Sequence, residues 1–210
     1  MAQDDDDRSA LAAWQAGDRS AGEQLLERHF ARVFRFFRNK LPAQAADLAQ
    51  QTFLAALEAK QRIAADRSFR AYIFGIARNL LYGELRRVRP DLANVGDMSI
   101  ADTGIESPSA GWVVREEKRL LLHALRQLPL EHQITLELYY WEDLPVKDVA
   151  EIIGVPEGTV RSRLARARDA LRDRLAAPNP DVPAALRDRT IEELDRWARE
   201  LRDAMRPEPT

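Results

Sequence analysis

The sequence predicts an all-α protein made of two small helical domains joined by a flexible linker, with a C-terminal amphipathic helix. Three observations predict it. Val146, Val149, Ala150 and Ile153 recur at helical spacing and are followed by Gly154 and Pro156, a stop and a restart, so two helices meet at a tight turn. The N-terminal half carries three further apolar stripes of helical period. Between the halves, residues 90–111 hold Gly96, Gly104, Pro108 and several Asp and Ser residues with no apolar period, the composition of a linker.

The element after the turn is the most informative. Val160, Leu164, Ala167, Leu171 and Leu175 form one apolar stripe, while Arg161, Ser162, Ala165 and Arg166 project from other sides of the cylinder. One face packs and the other is free to meet a duplex. Arg161 and Arg166 can donate bidentate bonds to guanine edges or phosphates, and the small Ser162 and Ala165 let the helix lie close in a major groove. An ordinary surface helix in a bundle is the plainer alternative.

In the N-terminal half, Leu25, Leu26, His29, Phe30, Val33, Phe34 and Phe37 share one side of a first long helix. A second helix, from about Ala45 to Lys60, turns Ala49, Phe53, Ala56 and Leu57 inward. A third, from about Phe69 to Arg89, turns Phe69, Tyr72, Ile73, Ile76, Ala77 and Leu80 inward, and the three make a bundle. Away from that third stripe lie Arg78, Asn79, Tyr82, Arg86 and Arg87, cations and an aromatic that suit a separated DNA strand, where bases stack and phosphates are neutralised, although a solvated helix face is the plainer alternative.

The run Gly158-Thr159-Val160-Arg161-Ser162-Arg163-Leu164-Ala165-Arg166-Ala167-Arg168, preceded by Leu128-Pro129, resembles region 4 of the extracytoplasmic-function (ECF) sigma factors of bacterial RNA polymerase. Asp47 to Leu54, followed by Ser68 to Asn79, is similar in order to their region 2. The resemblance implies domains at 1–89 (region 2, with an acidic tail over 1–8), 90–111 (linker), 112–177 (region 4) and 178–210 (helical extension). It implies a non-enzymatic, cofactor-free and metal-free protein that binds core RNA polymerase through the beta-prime clamp and beta subunits and directs initiation at promoter DNA. Arg161, Ser162, Ala165 and Arg166 become base-side positions for the upstream (−35) element, with Arg163 and Arg168 nearer the phosphates or their own helix neighbours. Arg78, Asn79, Tyr82 and Arg86 become contacts to the downstream (−10) element, Asn79 lining a pocket for a flipped base. Asp47, Gln50, Gln51, Phe53 and Leu54 become the polymerase dock.

One departure from the family pattern bears on regulation. Many members carry an acidic cluster at the start of the second region 2 helix; here the stretch is Gln44-Ala45-Ala46-Asp47, then Gln50-Gln51-Thr52-Phe53, and only Asp47 is negative. Phosphorylation of Thr52 by a Ser/Thr kinase would restore about −1.5 to −2 charge, so a kinase-switched factor is one expectation. Direct bonding of Gln50 and Gln51 to the clamp is the other. An anti-sigma factor is a further candidate regulator. In the linker, Asp91, Asp97, Asp102 and Glu106 either imitate nucleic acid or are simply exposed.

Beyond Ala177, Pro178, Pro180 and Pro183 break the helix, and Ile191, Leu194, Trp197, Ala198, Leu201 and Met205 mark a new amphipathic one. The Leu194, Trp197 and Leu201 stripe either folds back as a structural element or serves as a regulatory latch.

Composition limits the alternatives. The 210 residues contain no Cys, which excludes a disulfide framework, a zinc finger and a thiol sensor within the chain. The N-terminus, with Asp4 to Asp7, lacks a signal-peptide pattern and no apolar run approaches membrane-spanning length, so cytoplasmic residence without a membrane partner is expected. A net charge of −2 weakens non-specific DNA attraction, although Arg is dense over Arg78 to Arg89 and Arg161 to Arg174. His29, His123 and His132 lack metal-site spacing, and no phosphate loop or nucleophile motif is present. A stand-alone helix-turn-helix transcriptional regulator, dimeric on a palindrome, is the rival reading for the C-terminal half.

Overall fold

The computed structural model describes residues 2–64, 67–90, 95–101 and 116–176, with side chains 2–3 and 116–120 excepted. The C-terminal extension, with Leu194, Trp197 and Leu201, lies outside the described residues, as do Asp91, Asp102 and Glu106 of the linker. The helices are α1 (Ala2–Gln15), α2 (Arg19–Arg38), α3 (Ala45–Ala59), α4 (Phe69–Val88), α5 (Glu116–Arg126), α6 (Leu130–Leu136), α7 (Val146–Ile153) and α8 (Glu157–Ala176). Among the described residues β pairing is confined to an isolated bridge between Ser99 and Pro129, and no helix is long and apolar enough to cross a membrane. The chain divides into two compact units, Met1–Pro90 with Lys147–Gly154, and Asp91–Val146 with Val155–Thr210.

In the first unit α2 starts where the Asp18 carboxylate accepts from the Ala21 N–H, and α4 where the Ser68 hydroxyl accepts from the Ala71 N–H. Caps of this kind stabilise a helix by about 1 kcal/mol each. Leu25, Val33, Phe36 and Phe37 of α2 are buried with Leu48, Ala49 and Ala56 of α3 and Phe69, Ile73, Phe74, Ala77, Leu81 and Leu85 of α4. Phe36 meets Phe74 edge-on at 5.6 Å between ring centroids, the arrangement that the quadrupoles of two rings favour.

The buried stripes differ from those expected in three helices: in α2, Phe30 is exposed and Leu26 and Phe34 are only half-buried. The core side of α3 is made of small residues, Ala45, Ala49, Thr52, Ala56 and Ala59 with Leu48, whereas Leu57 is exposed and Phe53 only half-buried. Small side chains let α2 and α3 approach closely, which pushes the larger apolar groups to the rim. In α4, Phe74, Leu81 and Leu85 are fully buried while Tyr72, Ile76 and Leu80 are intermediate, because α1, α2 and α3 all pack on this helix. A helix with three neighbours buries more than a single stripe.

The expected acidic tail is instead the start of α1. Leu11 and Trp14 of this helix are buried, Trp14 edge-on to Phe69, and a Cβ on Gly22 would overlap the Trp14 indole. Asp7 is buried too, 2.7 Å from His29 Nε2 and 2.6 Å from Arg28, and Asp4 accepts from the Arg70 guanidinium at 3.0 Å. Carboxylates with cationic or hydrogen-bonding partners 21 to 66 positions away can leave water, whereas an unpaired run cannot.

In the second unit α5 and α6 pack on α8. Leu121, Leu125, Leu128, Leu130, Ile134 and Leu138 are buried, and so are Val160, Leu164, Ala167, Leu171 and Leu175, the stripe expected of α8. The Gln133 amide donates to the carbonyls of Leu128 (2.8 Å) and Arg126 (3.3 Å), closing the corner between α5 and α6. A π-helical turn, Glu137–Trp141, continues α6. Part of the expected linker belongs to this packing. Val95 and Ile100 are buried, and the carbonyls of Met98 and Gly96 accept from the N–H groups of Leu130 (2.7 Å) and Glu131 (3.1 Å) at the start of α6. Apolar residues scattered through a polar segment leave no helical or strand period in the sequence, although Val95 and Ile100 are buried in the fold.

Candidate nucleic-acid interface

Along the chain, α7 ends at Ile153, Gly154 follows at φ +73° and Pro156 precedes α8. The left-handed conformation at Gly154 carries no Cβ penalty, so the helix stops there and the chain restarts within three residues.

Opposite its buried stripe, α8 exposes Arg161, Ser162, Ala165 and Arg166 as one continuous strip. Arg161 donates to Glu157 one turn earlier (2.9 Å), the Ser162 hydroxyl to the Thr159 carbonyl (3.0 Å), and Arg166 Nε weakly to the Ser162 carbonyl (3.4 Å). An exposed pair of this kind is worth a few tenths of a kcal/mol, so Arg161 is easily released to another anion. Arg163 and Arg168 flank the strip on opposite sides. Arg163 is tied to Glu131 at 2.6 Å with only 15% of its side chain exposed, and Arg168 reaches the Tyr140 hydroxyl at 3.4 Å. Both flanking arginines thus meet residues of other elements, Glu131 of α6 and Tyr140 of the π-helical turn. His132 shares this neighbourhood. Burial, then the charges of Arg163 and Arg166, hold its pKa below the usual imidazole value.

On α4, Asn79 and Arg86 are exposed, and the Arg78 guanidinium lies over the Tyr82 ring at 4.5 Å. Tyr82 is 9% exposed, so the expectation of an open aromatic platform fails for this residue. Its ring is covered on one side by Arg78 and shares the buried side of α4 with Leu81 and Leu85. Cation and aromatic are pre-stacked on each other, leaving Asn79 and Arg86 as the accessible polar groups of the expected set. Arg87 is held by Glu84, 2.6 Å and 2.8 Å away, which also depresses the Glu84 carboxyl.

The α2–α3 surface carries the remaining expected residues. Asp47, Gln50 and Gln51 are exposed and Leu54 is 49% exposed, whereas Phe53 is half-buried and stacked on Phe30 at 5.7 Å. Phe30 (48% exposed) and Leu57 (46%) extend this into an apolar patch, with Phe34 stacked on Phe30 and capped by the Arg38 guanidinium. Phe30 and Leu57 were expected to face the core, and an expectation built on periodicity alone had no means of separating a packed stripe from a docking one. Thr52 belongs to neither patch nor solvent. Its side chain is 0% exposed and its hydroxyl donates to the Leu48 carbonyl at 2.8 Å, so the expectation of a phosphorylation switch there is overturned: a kinase cannot reach the oxygen in the folded chain.

Comparison with known proteins identifies the family of the chain. Residues 25–90 match the family model "Sigma-70 region 2" and residues 118–171 match "Sigma-70, region 4", together more than half of the chain. The chain is 30% identical over 187 residues to the RNA polymerase sigma-H factor of Pseudomonas aeruginosa, spanning 81% of this chain and 94% of that protein. It is 31% identical over 180 residues to the ECF RNA polymerase sigma factor SigM of Mycobacterium tuberculosis, spanning 84% and 88%. In fold it is similar to the sigma factor RpoE of Bartonella quintana, solved in complex with the anti-sigma factor NepR, with TM-score 0.61 at 23% identity over 75% of this chain and 98% of that one. CnrH in complex with the cytosolic domain of CnrY matches with TM-score 0.59 at 24% identity over 83% and 99%. The chain therefore belongs to the ECF group of RNA polymerase sigma factors, which bind core RNA polymerase for promoter-specific transcription initiation.

Proposed function

We propose that this sigma factor reads the upstream (−35) promoter element with α8 and the downstream (−10) element with α4, after docking on core polymerase through the α2–α3 surface. The observation that carries this reading is the exposed strip of Arg161, Ser162, Ala165 and Arg166 on a helix whose other side is wholly committed to packing. Two guanidiniums separated by small side chains suit guanine edges and a close approach to the groove. On α4, Asn79 supplies the donor and acceptor for an unstacked base, and Arg86, with Arg78 beside it, supplies positive charge for the strand's phosphates. The dock is mainly apolar, built on Phe30, Phe53, Leu54 and Leu57 with Asp47, Gln50 and Gln51 at hand for hydrogen bonds. The beta-prime clamp is the partner proposed for it, and its occlusion by an anti-sigma factor is the regulation that suits an exposed apolar patch. Action on promoter DNA implies a cytoplasmic site of work.

Transcription in vitro with core polymerase and a promoter library, with and without this protein, tests the reading. Enrichment of promoters sharing two spaced elements is expected. Binding of a palindrome as a dimer, unaffected by core polymerase, would replace it with a stand-alone helix-turn-helix regulator.

A further inference from the structure

The flank of α8 is held by a junction of three segments. The Arg163 guanidinium meets the Glu131 carboxylate at 2.6 Å, and the Glu131 backbone N–H donates to the Gly96 carbonyl at 3.1 Å. Gly96 also touches the Glu131 side chain: a Cβ there would stand 2.5 Å from Oε1, 2.7 Å from Cγ and 2.8 Å from Cδ. The carboxylate is therefore aimed at α8 by a backbone that only glycine lets come so close. Arg163 is next along the helix to the exposed Ser162, and Arg166, one turn on, is exposed. A guanidinium at that edge of a DNA-facing strip would meet phosphate if nothing held it back.

We propose that Glu131 is a positioning residue that withholds Arg163 from the DNA backbone, so that α8 engages the upstream element through Arg161 and Arg166 without an added sequence-independent phosphate contact. Gly96 sets the carboxylate. The inference rests on the reading that α8 faces DNA. In a chain of net charge −2 it adds a local restraint, at one ion pair, to the weak non-specific attraction that the bulk charge already sets.

The test uses holoenzyme reconstituted from the full chain and core polymerase, with affinity for duplexes carrying matched or scrambled upstream elements measured across a salt series. Glu131→Gln is expected to tighten binding to both duplexes alike and to steepen the log–log salt slope by about 0.9, the value of one added phosphate contact, so that the gain at 50 mM salt exceeds that at 200 mM by about 3.5-fold. Gly96→Ala, which changes no charge but displaces the carboxylate, is expected to do the same. Arg163→Gln alone leaves the slope unchanged, and the Glu131→Gln, Arg163→Gln double variant returns it to the starting value. A merely structural role for Glu131 would lower the melting temperature without steepening the slope. The proposal is overturned if Glu131→Gln or Gly96→Ala, folded by thermal unfolding, keeps the original slope, or if Arg163→Gln alone makes the slope shallower. Arg161→Ala serves as the separate check on orientation. If it leaves discrimination between the two duplexes intact, the reading of α8 fails, whatever Glu131 does.

Discussion

Asp7 and His29 meet at 2.7 Å with both side chains almost wholly removed from water, joining the first helix of the chain to the second. Burial works against a charge on Asp7, but hydrogen bonds and charge from His29 and then Arg28 together outweigh it and hold the carboxyl below its ordinary range.

Removing that carboxylate by Asp7→Ala should therefore cost about 3 kcal/mol, the scale for breaking one side of a buried pair. The pH dependence has a definite sign. A carboxyl whose native pKa is depressed contributes stability that is complete above its unfolded pKa, about 3.9, and that disappears as pH falls through the lower native value. Urea unfolding between pH 6 and 2 should show a decline in wild type that is shallower in Asp7→Asn. Parallel declines would remove Asp7 from the acid response.

Thr52 should behave as a core residue. Thr52→Val exchanges a hydroxyl already bonded to the Leu48 carbonyl for a methyl and should change stability by no more than about 1 kcal/mol. Thr52→Asp buries an unpaired charge beneath α3 and should destabilise by several kcal/mol, in the range of about 3 to 5, with a loss rather than a gain of polymerase binding. Thermal unfolding and core affinity on the same preparations decide the matter. A stable Thr52→Asp protein that bound core more tightly would contradict the buried placement.

The apolar patch makes the opposite expectation. Leu54→Ser and Leu57→Ser remove groups that are about half exposed and should shift stability by no more than about 0.5 kcal/mol. Each should weaken core polymerase binding, and the loss should be nearly the same at low and high salt, since a contact of this kind carries no charge to screen. Unchanged affinity in both variants would show that polymerase docks elsewhere.

On α8, Arg161→Ala and Arg166→Ala should each cost about 1 to 3 kcal/mol of discrimination between matched and scrambled upstream elements, with little effect on folding because both side chains are exposed. Filter binding of holoenzyme to the two duplexes measures it. Equal losses on both duplexes would mark phosphate contacts only.

Much of the α8 arrangement was legible because a helix that packs on one side and meets solvent on the other writes both faces at a period of 3.6 residues, and Val160, Leu164, Ala167, Leu171 and Leu175 obey it. The same rule misread α2 and α3. Phe30 and Leu57 keep helical spacing yet are exposed, while Thr52, a polar residue, is buried. Periodicity locates apolar groups; it does not distinguish a stripe that packs within the chain from one left for a partner.

The sequence by itself determined the helical class, the stop at Gly154, the free strip of α8 and, through the order of its motifs, the sigma family, since each depends on residues close along the chain. Tertiary structure alone decided that Asp4 and Asp7 begin a packed helix, that Tyr82 is covered by Arg78, that Thr52 is sealed from a kinase and that Gly96 aims Glu131 at Arg163. Two of these join groups far apart in sequence, and the other two depend on which side of a helix the fold covers. Whether a charge or hydroxyl is solvated, paired or buried is settled by what the fold brings against it, and no local pattern encodes that.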